Sequence, residues 1–332
     1  YGYDLQTGDL LTVTYSDGTP GATFTYDRAG RQESVADAAG LRRMAYSDGL
    51  LQTETYESGL LQGVSLGRTY DLARLASLAL SVNGTPVHGA TYGYRDTQGR
   101  DTGRLASVAS GALAVRYAYT PNSNLLHTTT WADGSTDRLQ AVNFFDHMNR
   151  LQSRATTDAA GRTLRSVGYG YNEANQRVRA ELETGEHWTY GYDPLGQVVS
   201  GEKRSATDAV IPGYDFGYRF DDIGNRRATE VNGRTATYQA NLLNQYEARD
   251  VPRAIDVLGE GLPGAEITVN GVPSLRTTRD SGSSYFYAPQ PAAAAGKYDI
   301  AIRSRVAAAT DSVFDERRVA YQPPAQETFL YD

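Results

Sequence analysis

One short pattern recurs along this chain and limits its fold more than any other feature. Thr23 to Arg31 reads Thr-Phe-Thr-Tyr-Asp-Arg-Ala-Gly-Arg, Tyr190 to Val198 reads Tyr-Gly-Tyr-Asp-Pro-Leu-Gly-Gln-Val, and Tyr218 to Arg226 reads Tyr-Arg-Phe-Asp-Asp-Ile-Gly-Asn-Arg. The chain opens on the same theme, Tyr1-Gly2-Tyr3-Asp4. Each copy is aromatic-x-aromatic, then Asp, two residues and Gly, or a close variant. Aromatics two apart share one face of a strand. An Asp that caps the backbone, followed three residues later by Gly, suits a tight turn or a bulge. The unit is therefore a β-hairpin.

The last aromatics of the copies are Tyr3, Tyr26, Tyr46, Tyr70, Tyr94, Tyr119, Phe145, Tyr171, Tyr192 and Phe220, at intervals of 20 to 28 residues. Drift of that size would break the packing face of a helical repeat, whereas in hairpins it only lengthens turns. The residues assigned to the structural motif are Tyr3, Asp4, Tyr26, Asp27, Gly30, Tyr70, Asp71, Tyr94, Tyr171, Tyr192, Asp193, Gly196, Phe220, Asp221 and Gly224. Between copies lie second turn signals: Asp17-Gly18, Asp37 to Gly40, Ser58-Gly59, Asn83-Gly84, Asp133-Gly134, Asp158 to Gly161 and Asn232-Gly233. Two turns per unit leave two strands of roughly 6–9 residues. The Leu72 to Leu80 run is the one helix-like stretch, and its place in the repeat makes it a strand.

The motif vanishes after Asp250. From 251 to 321 Ala and Pro rise, and five β-like segments can be drawn: Ala254 to Leu258, Ala265 to Val269, Tyr285 to Tyr287, Tyr298 to Arg303 and Arg318 to Tyr321. Turn signals separate them, Asn270-Gly271 and Asp280-Ser281-Gly282 among them. Short strands with frequent turns predict a small Ig-like β-sandwich. Gln322-Pro323-Pro324 then forms a stiff linker, and Phe329-Leu330-Tyr331-Asp332 restarts the motif. The expected organisation is a repeat array over 1–249, an inserted sandwich over 250–321, and a linker with the next repeat over 322–332. A chain that starts at Tyr1 and stops as a motif begins is expected to be part of a longer polypeptide. Edge strands at either end would pair with adjoining sequence or with further copies of the chain.

Composition narrows the chemistry. A formal net charge of -7 speaks against nucleic acid or an anionic membrane as the main partner. No apolar run reaches the roughly 18 residues of a membrane helix. There is no Cys, so neither disulfides nor thiolate metal sites hold the fold. Of 32 basic residues only Lys203 and Lys297 are lysine.

Catalytic patterns are weak. His88, His127, His147 and His187 have no metal-ligand spacing, and no His-Glu-x-x-His occurs. Gly259 to Gly264 fits a dinucleotide fingerprint formally, but Pro263 obstructs the helix that such a motif opens, so a turn is expected there. Asp221 to Asn225 lacks the spacing of a calcium loop and reads as turn capping. No Gly-x-Ser-x-Gly elbow is present. Asn83-Gly84-Thr85 is a sequon that reads as a hairpin turn. The tyrosines could bind carbohydrate, but aromatics at period two are more often cross-strand packing partners. Neither a cofactor nor a metal is expected.

The aromatic-x-Tyr-Asp-x-x-Gly-Arg unit, best kept at Tyr26 to Arg31, Tyr192 to Gly196 and Phe220 to Arg227, resembles the YD repeat of the Rhs (rearrangement hotspot) family. Shell-forming subunits of Tc toxins and the teneurins are relatives of that family. The resemblance covers about 1–249 and resumes at Thr328; Tyr46 to Asp48, Tyr119 to Pro121 and Phe145 to His147 are degenerate copies. Segments Asp256 to Gly259 and Ile267 to Gly271 are similar to a module found inside many long bacterial Rhs proteins. The resemblance implies an all-β fold, a long coiled sheet that walls a shell or spiral, and a non-catalytic scaffold that encloses or displays a toxin effector. It further implies a secreted or cell-surface location. No residue here carries the family's self-cleavage chemistry. The alternative function is an extracellular fibre or adhesion protein built from the same repeats, and the alternative fold is a β-propeller.

Overall fold

The computed structural model describes residues 1–96, 98–279, 282–306 and 312–331. Thirty strands and no helix occur among them. They form two compact units, residues 1–143 with 156–164, and residues 144–155 with 165–332.

The first unit is an antiparallel meander. Ala22–Tyr26 pairs with Gln32–Asp37, which pairs with Gly40–Ser47, and Leu50–Tyr56 follows. Val64–Asp71 pairs with Arg74–Val82, and that strand with Thr85–Gly93. The Leu72 to Leu80 stretch is thus a turn and a strand: Leu72 stands at φ 58 in the turn and the strand starts at Arg74. Asn83 and Gly84 both take positive φ, 50 and 77, in the two-residue turn expected at the sequon. Burial is shallow, as a sheet of short hairpins requires; Val35 and Met44 are among the buried side chains.

At seven of the motif copies the sheet slips by one residue. The register shifts between Thr25 and Tyr26, Ala45 and Tyr46, Thr69 and Tyr70, and Ala118 and Tyr119 in the first unit. In the second it shifts between Gly170 and Tyr171, Gly191 and Tyr192, and Arg219 and Phe220. The motif is therefore a strand, a turn and a bulge: the extra residue, Glu33 in the Tyr26 copy, stands on the returning strand, and Tyr26 keeps the alternation of its own strand.

The second unit continues with strands Arg177–Leu182, His187–Tyr192, Val198–Arg204, Val210–Phe220, Arg226–Val231, Arg234–Ala240 and Tyr246–Asp250. Gln326–Thr328 then pairs back onto Tyr246–Asp250, Ala248 opposite Thr328. Residues 251–325 thus stand where other hairpins have their second turn. They form two sheets. Ala254–Gly261, Ser284–Pro291 and Leu275–Thr278 make one; Val272–Pro273, Glu266–Val269, Gly296–Val306 and Ser312–Gln322 make the other. Val257, Ala265, Ile267, Val269, Phe286, Ala288 and Ile300 fill the space between them. Two strands go beyond the five read from sequence, Val272–Pro273 and Leu275–Thr278, both too short to show alternation. Gly259 to Gly261 ends a strand and leads into a turn. Asp280 and Ser281 of one expected turn, and Asp332, lie outside the described residues.

Candidate functional site

The motif turn is closed by its first residue. Asp27 Oδ1 accepts the Ala29 and Arg31 amides at 2.8 and 3.0 Å, and Oδ2 accepts Arg31 Nε at 2.7 Å. The Arg31 side chain, then its amide, holds the Asp27 carboxyl below the usual range. Asp96 with Arg100 and Asp146 with Arg150 repeat this arrangement, and Asp158 with Arg162 does so in a second turn. Asn172–Gln176 and Asn241–Gln245 replace the ion pair by an amide pair at 2.6 and 3.0 Å. The position three residues after the Asp is left-handed: Gly30 has φ 76, Gly196 φ 82 and Gly224 φ 91. Asn149, Asn175 and Asn244 take the same place at φ 62 to 63, which explains copies that look degenerate in sequence.

The motif tyrosines join one hairpin to the one before. Tyr26 Oη donates to the Leu10 carbonyl at 3.0 Å, Tyr46 to Gln32 at 2.9 Å, Tyr70 to Leu51 at 2.8 Å and Tyr94 to Leu75 at 2.9 Å. Tyr119 donates to Leu105 at 2.8 Å, Tyr171 to Leu151 at 2.7 Å and Tyr192 to Arg177 at 2.7 Å. Phe145 has no hydroxyl; the Leu126 carbonyl, equivalent in the repeat to these acceptors, receives the Asn143 amide at 2.8 Å instead. Guanidinium groups lie over the same rings, Arg31 on Tyr46, Arg74 on Tyr94, Arg104 on Tyr119 and Arg150 on Tyr171, at 4.5 to 4.6 Å from the centroids. Arg31 and Arg150 thus grip the Asp of their own turn and stack on the Tyr of the next hairpin. A planar fork does both; an ammonium does not. That favours arginine over lysine at these two positions.

Not every assigned motif residue sits alike. Tyr3 is 56% exposed, and Asp4 accepts the Gln6 and Thr7 amides in a turn one residue longer. Asp71 ends its strand and pairs with Arg74, which also holds Asp101. In the Tyr94 copy the capping role falls one residue later, on Asp96. Asp193 accepts the Leu195 and Gln197 amides, and Asp221 those of Ile223 and Asn225. Phe220 lies 5.9 Å from the Arg226 guanidinium.

A second constellation was not read from the sequence. Between the pairs Glu202↔Asp215 and Arg204↔Val210, Lys203 alone stands opposite residues 211–214, so Ile211-Pro212-Gly213-Tyr214 bulges from its strand. Lys203 Nζ donates to Tyr285 Oη at 2.7 Å and lies 3.4 Å from Glu186 Oε2. Tyr285 Oη donates to that carboxylate at 2.6 Å, and Arg279 Nε donates to Glu186 Oε1 at 2.6 Å. Glu186, Lys203 and Tyr285 are all buried. Burial pushes the Glu186 carboxyl up, but the Tyr285 hydroxyl, Lys203 and Arg279 outweigh it, and the net shift is downward. Burial, with the Glu186 carboxylate, raises the Tyr285 phenol, so it stays protonated and serves as a donor. An ionised carboxylate between two cations, facing a protonated phenol, is a tether rather than a nucleophile and base. Two sequence signals mark the place: one of only two lysines, and Pro-Gly inside the longest motif interval, Tyr192 to Phe220.

The histidines are scattered. His187, 1% exposed, meets Asp208 Oδ1 at 3.1 Å, His127 meets the Asn143 carbonyl and His88 meets Ser110. Among the described residues no group of three His, Asp or Glu side chains is arranged to hold a metal.

No family model matches the chain, and no curated protein matches it. Solved structures do. The crystal structure of TcdB2-TccC3-Cdc42 aligns with a TM-score of 0.44 and 14% identity over 92% of this chain. That of TcdB2-TccC3-TEV aligns with a TM-score of 0.42 and 13% identity over 97%. This chain spans 16% of the length of each. A porin-like protein from Bacteroides uniformis aligns with a TM-score of 0.19 and 10% identity, covering 84% of this chain and 95% of that one.

Proposed function

We propose that this chain is a non-catalytic scaffold, a segment of an Rhs-type β-shell wall that encloses or displays a toxin effector outside the cell that makes it. The observation that carries the reading is the hydroxyl ladder. Seven motif tyrosines donate to a carbonyl of the preceding hairpin. The motif's polar atoms are thereby engaged in joining hairpins, which suits a wall extended unit by unit. The motif of Tyr, Asp and Arg that resembles the YD repeat supports the same reading. Its partners would be adjoining segments of a longer chain, further copies of itself and the enclosed effector.

Electron cryo-microscopy of the whole encoded polypeptide, produced with its neighbouring reading frames, tests this. A closed wall around internal density is the expected image. An open filament would favour the fibre reading and overturn the shell.

A further inference from the structure

We propose that the two-sheet module is a clamp that locks three consecutive hairpin tips of the array into one mechanical unit. It grows from the hairpin of Tyr246–Asp250 and Gln326–Thr328 in place of a second turn. The neck is closed by the Val251 amide on the Ala325 carbonyl at 2.8 Å, and by buried Gln322 on the Pro252 carbonyl at 3.1 Å.

From that neck the module folds back over the three preceding tips. At the tip between Arg226–Val231 and Arg234–Ala240, Asn232 donates to Asp256 at 3.1 Å, and Arg234 donates to Asp256 and to the Tyr287 hydroxyl. At the tip between Val198–Arg204 and Val210–Phe220, the 211–214 bulge meets the same strand of the module. Gly213 there leaves no room for a Cβ, which would stand 2.9 Å from the Tyr287 ring, and Tyr214 meets Tyr285 edge-on at 5.8 Å. At the tip between Arg177–Leu182 and His187–Tyr192, Glu186 takes Tyr285 and Arg279. Tyr285 and Tyr287, two apart on one strand and so on one face, each engage more than one hairpin.

A hairpin array couples only nearest neighbours. The Glu186 tip and the Arg234 tip are two hairpins apart, so a bar that holds both adds a coupling the sheet lacks. Loosening one tip should loosen the others through the module.

Hydrogen exchange read by mass spectrometry on the intact chain tests this with Arg234→Met. For Arg234→Met the clamp predicts exchange faster by about tenfold at residues 183–187 and 205–211 as well as at 231–234. The motif turns 193–197 and 221–225 should be unchanged. A rise confined to 231–234 and the module would overturn the clamp, as would a uniform rise over the whole chain. Should Arg234→Met fail to fold, Asn232→Ala removes one bond at the same tip, and the same two patterns decide.

Discussion

Lys203 donates to the Tyr285 hydroxyl at 2.7 Å in a contact that closes across 82 residues of chain. With Glu186 and Arg279 it makes a buried knot in which both cations face one carboxylate. Such a knot fixes geometry more than it adds net stability, but removing one member leaves a buried charge less well compensated. Lys203→Met is expected to cost about 1–3 kcal/mol. Urea unfolding followed by tyrosine fluorescence would measure it, and a midpoint equal to the parent's would contradict the assignment.

The pH dependence of the same knot has a definite sign. Glu186 is faced by Lys203, Arg279 and Tyr285, and its folded pKa lies below the ordinary 4.5. Below 4.5 the unfolded chain binds the proton first, so this contribution is complete above 4.5 and is lost as pH falls through the folded value. Tyr285 is shifted the other way, above its ordinary 10.0, so its contribution holds below 10 and is lost as pH rises further. Protection from exchange at Glu186 and along Ser284–Pro291, relative to the intrinsic rate at each pH, should therefore fall at both extremes. Glu186→Gln should remove the acid limb while Lys297→Met leaves it; an acid limb kept in Glu186→Gln would refute the linkage.

Gly213 stands at φ 93 with the Tyr287 ring against it. Alanine there meets both a strained backbone and a ring, and Gly213→Ala is expected to cost roughly 1–3 kcal/mol. Gly224→Ala, equally left-handed at φ 91 but with open space around the added carbon, isolates the backbone share. Thermal unfolding of the two should place Gly213→Ala lower; equal transitions would mean the ring contact contributes nothing.

Most of the array was legible in the sequence because a hairpin is a local object. Tyr26, Asp27, Gly30 and Arg31 lie within six residues, and the bonds that close their turn never leave that stretch. The 72–80 stretch resolved correctly for the same reason, from its place in the repeat. What stayed hidden was what needs the third dimension. Asn143 stands in for the hydroxyl that Phe145 lacks, which only the Leu126 carbonyl reveals. Asn149 and Asn244 hide the left-handed turn position because they lack the expected Gly. The Glu186 knot joins residues 82 to 99 positions apart in the chain, and neither lysine scarcity nor Pro-Gly at 212–213 names its partners. Shallow burial of the motif rings was also hidden: Tyr46, Tyr94, Tyr119 and Tyr171 lie under guanidinium groups rather than deep in a core.

The arginine preference is directly testable. Arg150 donates to Asp146 at 2.7 Å and to Asn175 at 2.7 Å while its guanidinium covers Tyr171. Arg28, in an exposed turn, provides the comparison. Arg150→Lys should lower the urea midpoint and Arg28→Lys should leave it in place. Equal effects would show that charge alone matters at position 150.

The ladder itself is the central claim, that the repeated tyrosines exist to join hairpins. Converting Tyr26, Tyr70, Tyr94, Tyr119, Tyr171 and Tyr192 to Phe one after another keeps every ring and removes only the hydroxyl donors. Each step is expected to cost about 0.5–1.5 kcal/mol, because a carbonyl of the preceding hairpin loses its partner. The measurement is the urea midpoint of the series. The account predicts a stepwise fall with the number of hydroxyls removed; a midpoint that stays constant through all six substitutions would contradict it.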